Sequence, residues 1–408
     1  MREFDISNHP RKNILYYLLI VLVLFLPTTN FYLYYGLVSL ATMSVLIFYP
    51  ISLKKLPVLY SIVFIIVSIS FIRVIYFGNN EDIKELVKLV LFFSILIISA
   101  RLSLTSTLNI LLIFVYVNFI IAFLQFNHLN PVGLVSIINK YYVADHHINA
   151  SLSYSIPRAI GLSSGPGQQA VLNIFIASIF FISLKWLKGN RKKYIFGIIL
   201  AIVSVILSQS KTVILAAPVG VGIYLLSSVN TIKTSRYLLS IASFIFFIII
   251  VLFFKDYIII KIPELSRVLS SGLSVSSFQD RLYNWYIVTE PVLRENSLMS
   301  LFFGIGRSGL EYFSINDIPY DSDYIYMLVN FGLIGLIAFI CFNLYFIIIR
   351  FSSAYSTPRR HLFSLICSLA VINSLSLNFY IEPRVYILTA IFLSCYNLMV
   401  INYERKKN

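Results

Sequence analysis

The stretch Leu108-Asn-Ile-Leu-Leu-Ile-Phe-Val-Tyr-Val-Asn-Phe-Ile-Ile-Ala-Phe-Leu-Gln-Phe126 contains no charged residue. A helix rises 1.5 Å per residue, so about 20 apolar residues cross a hydrocarbon layer of about 30 Å, and this stretch reads as one spanning helix. Runs of the same kind recur at 14–27, 31–50, 58–77, 87–103, 108–126, 167–187, 194–209, 212–228, 237–254, 323–349, 361–379 and 385–402. That predicts about twelve transmembrane helices in an all-α polytopic membrane protein, with residues 1–408 forming a single integral membrane domain. The whole composition agrees: 59% of the 408 residues are hydrophobic and 12% charged, against about 45–50% and 25% in soluble domains. Such an excess does not fit an aqueous core. It excludes a soluble enzyme, a secreted disulfide scaffold and a DNA-binding domain.

Two spans are less regular. The first, 14–27, is short, and Gln209, Ser210 and Lys211 interrupt the apolar run over 194–228. The basic head before residue 14 is not followed by a small-residue cleavage signature, so the first span reads as a retained signal anchor. Cys341, Cys367 and Cys395 all fall within predicted spans, where a small apolar residue is the simplest explanation.

Lys and Arg orient the chain, because their excess marks cytoplasmic loops. With the N-terminus inside, 19 of the 32 basic residues are cytoplasmic and 13 are outside, six of them in the long segment 255–322 where the rule carries little weight. Both termini are therefore predicted to be cytoplasmic. Of the 17 acidic residues only Glu3, Asp5 and Glu404 fall inside. The net charge of +15 is then an inner-surface property, suited to the anionic headgroups of a lipid bilayer. No basic stripe with interleaved aromatics points to nucleic acid.

Polar chemistry collects in two large outer segments, 127–166 and 255–322. The first ends in Arg158-Ala-Ile-Gly161-Leu-Ser-Ser-Gly165-Pro166-Gly167-Gln168-Gln169-Ala170. Its glycines let backbone approach a ligand, the following helix N-terminus favours anions, and Arg158 suits phosphate. A Pro/Gly turn with an interfacial Arg is the alternative. Ser210-Lys211 ends one span with a cation that either meets a polyanion or anchors the helix.

In the second segment, Leu282, Tyr286, Val288, Val292 and Leu293 make a short amphipathic pattern expected to lie along the membrane surface. Arg281 and Trp285, one helical turn apart, form either a sugar-stacking pair or an interfacial anchor. Gly304-Ile-Gly306-Arg-Ser-Gly309 fits G-x-G-x-x-G but lacks the βαβ context of a dinucleotide site, and reads as a flexible turn. Asp145-His146-His147 lacks the spacing of a metal site. Asp321-Ser322-Asp323 heads a span, where capping explains part of the charge.

In this order the motifs resemble the bacterial O-antigen polymerase (Wzy-type) and O-antigen ligase superfamily. Arg158, Gly161, Pro166 and Ala170 match an outer Arg-x-x-Gly-x-x-x-x-Pro-x-x-x-Ala element. Ser210-Lys211 is similar to a Ser-Arg element, with Lys in place of the usual Arg. Arg281, Trp285, Gly304 and Gly306 match Arg-x-x-x-Trp and Gly-x-Gly, and Gly332 to Leu336 give Gly-Leu-Ile-Gly-Leu. In the ligases a His-Asn pair stands eleven residues before the first Gly of that helix. Asp321-Ser322 occupies the register here, and the missing His favours a polymerase.

The resemblance implies a GT-C-type inverting glycosyltransferase of the bacterial inner membrane, its active site facing the periplasm, with no cofactor and no metal. Its implied donor and acceptor are undecaprenyl-pyrophosphate-linked oligosaccharide, and its implied partner is a polysaccharide chain-length regulator. Arg158, Lys211 and Arg281 are the expected clamp for the pyrophosphate, with Trp285 and Arg384 grouped with them as substrate-binding residues. Asp321 is the expected base, followed by Asp323 and Glu290. O-antigen ligase is the alternative within the superfamily. A flippase or transporter of lipid-linked oligosaccharide is the alternative outside it, and would be expected to show repeat symmetry and charges at the bilayer midplane.

Overall fold

The computed structural model describes residues 10–49, 51, 57–77, 79–98, 102, 104–153, 157–184, 191–226, 276–294, 298–315, 321–348, 358–375, 379–380 and 382–404. The expected span 237–254 and the start of the segment 255–322 lie outside these residues. Among the described residues the regular structure is helical, apart from one isolated bridge between Ile51 and Ile98. That is the outcome expected when no water is at hand for backbone N–H and C=O groups and a helix satisfies them within one segment.

The helices are α1 (Pro10–Phe25), α2 (Phe31–Phe48), α3 (Pro57–Phe77), α4 (Asn80–Ile97), α5 (Leu104–Phe126), α6 (Leu134–Tyr142), α7 (Pro166–Ser183), α8 (Lys192–Leu207) and α9 (Lys211–Leu226). They continue as α10 (Ser276–Arg294), α11 (Leu298–Phe303), α12 (Gly306–Tyr312), α13 (Asp323–Ile348), α14 (Pro358–Asn373) and α15 (Pro383–Glu404). Four of the described helices are long and apolar enough to cross a membrane: α2, Thr105–Phe126 of α5, α7, and Asp323–Ile347 of α13. Five further apolar stretches of 10–17 residues lie in α1, α3, α9, α14 and α15. The other expected spans with described residues each coincide with a helix, but α4 starts seven residues before the run at 87–103 and carries the charged turns of residues 81–88.

The main core gathers around α7, which is buried along most of its length and packs on α8, with α5 against α8, α9 against α14, and α4 against α15. Away from it, large apolar side chains such as Ile47, Ile72 and Tyr76 point outward, as lipid-facing surfaces do. A second, smaller core lies between α3, α10, α12 and α13 and includes Ile66, Val288, Leu310 and Val329.

Three readings from the sequence gain a physical cause or a correction. The interruption after residue 207 is a true break: α8 ends at Leu207, Gln209 takes φ +50°, and α9 starts at Lys211. The apolar residues of α10 do not share one face. Val288 and Val292 are buried, whereas Leu282, Tyr286 and Leu293 are exposed. The Gly-x-Gly turn is a packed joint rather than a flexible loop. Gly304 and Gly306 both take positive φ, and the Ile305 amide donates to the Val329 carbonyl at 2.9 Å. Opposite them α13 is kinked at Gly332 (φ 62°, ψ −158°), so two backbones meet with no side chain between.

A Cβ at Gly304 would sit 2.5 Å from the Val329 carbonyl oxygen, at a φ that side chains rarely adopt. Gly304→Val is therefore expected to destabilise the protein by about 1–3 kcal/mol or more, read as a lowered unfolding temperature in detergent. A conservative change of similar size at the exposed Ile72 should leave that temperature unchanged.

Candidate active site

The segment from Pro157 to Gly165 is the keystone of the site. It enters the protein beside α5, and its buried amides need acceptors. Two side chains on one face of α5 supply them. Gln125 Oε1 accepts from the Ile160 and Gly161 amides at 2.9 and 2.6 Å, and Asn118 Oδ1 accepts from the Leu162 amide at 2.8 Å. Gly161 takes φ +60°, and an added Cβ would collide with Gln169, whose side chain accepts from Ser163 Oγ at 3.1 Å. The amides of Ile160, Gly161 and Leu162 thus bond the protein itself. Asn118 and Gln125 were legible only as two amides seven residues apart in an apolar helix.

The other edge of the same segment lies against the end of α8. The Ala159 amide donates to the Leu207 carbonyl at 3.0 Å, and Gln209 Nε2 reaches the Pro157 carbonyl at 3.5 Å. This brings the half-buried Arg158 to the turn that leads into the half-buried Lys211, two of the three expected clamp cations.

Arg384 joins from α15. Its guanidinium is fully buried and donates to the Leu26 carbonyl at 2.8 Å and toward Ser163 Oγ at 3.5 Å. The buried Glu382 carboxylate stands 3.8 Å away. Burial pushes that carboxyl up, to about 7, while the charge of Arg384 and its backbone amide pull it down.

A second group of the expected residues lies at the head of α13. Asp323 is fully buried; its Oδ2 accepts from Ser374 Oγ at 2.5 Å and from the Tyr380 amide at 3.0 Å, while the Asp323 amide donates to the Ser374 carbonyl. It ties α13 to the connection between α14 and α15. Two residues earlier Asp321, at φ +37°, is partly exposed and pairs with Arg281 Nε at 3.7 Å. The expected base and the third expected clamp cation are therefore partners, although 40 positions separate them. Trp285 and Glu290 are half-buried further along α10.

A cluster that the sequence did not reveal supports this group. Arg73 donates to the Phe303 carbonyl at 2.7 Å and lies against Gly306, and Asp82 accepts from the Arg307 amide at 3.1 Å. The buried Tyr326 hydroxyl donates to Glu85, which also holds Lys88 at 2.7 Å.

Hydrogen bonds thus run from Lys211's turn through Arg158's segment to Arg384, and a separate ion pair joins Arg281 to Asp321, two positions before Asp323. Residues 196–340 match the family model described as O-antigen ligase. The match agrees with the resemblance to the O-antigen polymerase and ligase superfamily. It takes in Lys211, Arg281, Trp285, Glu290, Asp321 and Asp323, and it supports O-antigen polymerase or ligase activity of a membrane protein toward lipid-linked saccharide. No curated protein matches the chain.

Two measurements probe the keystone segment. Gln125→Leu leaves the Ile160 and Gly161 amides without their acceptor, at about 1–3 kcal/mol for each buried group; unfolding in detergent should begin at a lower temperature than in the unaltered protein. His147 packs on Gly165. Burial, with His146 and Arg158 nearby, holds its pKa at about 4 instead of 6.5. The folded segment therefore binds fewer protons than the unfolded one, and stability from this contact is complete above pH 6.5 and lost as pH falls toward 4. Protease protection of residues 143–165 should fall over that window, and His147→Gln should flatten the dependence.

Proposed function

We propose that the protein is an O-antigen polymerase of the bacterial inner membrane, an inverting glycosyltransferase that joins undecaprenyl-pyrophosphate-linked repeat units at the periplasmic face. The observation that carries the reading is the Arg281–Asp321 pair beside the buried anchor of Asp323. A pair exposed to this degree contributes at most about 1 kcal/mol to stability. Its carboxylate remains within reach of a substrate, whereas Asp323 is committed to Ser374 and Tyr380.

In this reaction the acceptor sugar's hydroxyl oxygen attacks the anomeric carbon of the donor glycan. Its proton passes to Asp321, and the bond from that carbon to the pyrophosphate oxygen breaks. The anomeric configuration inverts. Undecaprenyl pyrophosphate leaves with the electron pair, and Arg158 and Lys211 face the charge that develops on it. Arg281, paired with Asp321 at 3.7 Å, orients it toward the hydroxyl. Trp285, one turn along, offers a sugar-stacking face, and Arg384 holds the segment that carries Arg158. Glu290 is the reserve candidate for the base. The polymerase reading is favoured over ligase because Asp321-Ser322 stands where the ligases carry His-Asn. It includes the twelve-helix GT-C topology with both termini cytoplasmic, and a chain-length regulator as partner.

Lipopolysaccharide from a deletion strain tests the assignment on one gel. A core bearing a single repeat unit is the expected result, and bare core overturns it in favour of ligase or flippase. In the complemented strain Asp321→Asn and Arg281→Ala should each lower polymer at least about a hundredfold, the scale on which a proton-transfer group acts, with membrane protein level unchanged. Polymer of normal length and amount from Asp321→Asn would remove Asp321 as the base.

A further inference from the structure

A groove of about 280 Å³ opens between α2 and α4, away from every residue discussed above as clamp or base. Its walls are the rings of Phe31, Tyr32 and Tyr35 on one side and Asn80 and Lys84 on the other. Tyr32 is 74% exposed, and Phe31 and Tyr35 stand 4.5 Å apart with their rings tilted. Lys84 Nζ lies 5.9 and 6.0 Å from the Phe31 and Tyr32 ring centres, and Lys88 Nζ lies 5.9 Å from Phe31. At the floor is Gly36, with nothing within 4 Å of where a Cβ would be.

The groove is at the same end of the bundle as the candidate site. Thr29, before α2, donates to the Tyr141 carbonyl at 2.7 Å, and Tyr142 donates to the Phe25 carbonyl, which fixes the α1–α2 turn on the segment that leads to Arg158. On the other wall, Asp82 of α4 holds the Arg307 amide. Behind the groove, Tyr35 packs edge-on against Tyr34. Phe92 of α4 stacks on Tyr386 of α15 at 4.4 Å.

We propose that this groove is a second saccharide subsite, one that holds sugars of the glycan chain beyond those at the Arg281–Asp321 pair. Aromatic faces lining a concavity match the apolar faces of pyranose rings, while Asn80, Ser39 and the remaining N–H groups of Lys84, which also pairs with Glu81, offer hydrogen bonds to sugar hydroxyls. Here Phe31 and Tyr32, with the buried Tyr35 behind them, border a hollow together with an amide, a cation and the exposed Gly36. The proposal rests on the transferase reading above and deepens it.

The experiment uses the full chain in lipid nanodiscs and, as probe, lipid-free polysaccharide released by mild acid from the source strain's surface glycolipid. Gly36→Leu fills the hollow where there is free space, and leucine favours the helix over glycine. Tyr32→Ala removes one stacking face. Saturable binding by the unaltered protein, weakened about tenfold by Gly36→Leu and severalfold by Tyr32→Ala, together with shortened polymer in cells at normal membrane protein level, is the expected result. Unaltered binding and polymer length in Gly36→Leu overturn the proposal. So does loss of co-purified phospholipid in that variant without any change in polysaccharide binding, since the occupant is then a lipid. The deletion-strain gel separates these outcomes from a failure of the polymerase reading, because its single-repeat core does not depend on the groove.

Discussion

A guanidinium with no access to water, that of Arg384, sets the terms for much of this architecture. A guanidinium carries only N–H donors, so burying it calls for oxygen atoms around it. The oxygens come from three distant parts of the chain: the carbonyl at the end of α1, the hydroxyl of Ser163, and the carboxylate of Glu382. Holding them in place holds together the first helix, the last helix and the segment before α7. The amides of that segment are in turn satisfied by Gln125 and Asn118. Arg158 owes its position to this chain of obligations.

Acidic residues near the head of α13 divide by environment. Asp323 has no exposure and bonds an amide and a hydroxyl of the connection between α14 and α15, so its carboxyl group serves the fold. Asp321 is reached by solvent and pairs at a distance that leaves room for exchange with a hydroxyl. Two carboxylates two positions apart in sequence have therefore been sorted by a single turn of backbone at positive φ.

Much of the helical framework was legible in the sequence, because hydrocarbon burial acts on composition alone and a run such as 108–126 carries its own evidence. The break at Gln209 was legible as a polar interruption. The pairings were not. Nothing local announces that Arg281 meets Asp321, that Asp82 caps toward the Arg307 amide, or that Gln125 exists for two amides of a later loop, since each depends on tertiary proximity. Gly304 and Gly306 were visible as a motif, but flexibility was the wrong inference from them: glycine also permits contact so close that it rigidifies. The apolar residues of α10 misled for a related reason. Part of the pattern packs on α13 and part faces outward, so it mixes two environments in one count.

The joint of Gly304 on Gly332 bears on how force would pass through the molecule. With backbone seated on backbone and Val288 and Val292 packed into the same small core, α10, α11 and α13 are geared together and have no slack between them. The paired Arg281 and Asp321 ride on two members of that gear train. In the proposed transfer their spacing is then set by backbone packed on backbone, and side-chain rotamers have little part in it.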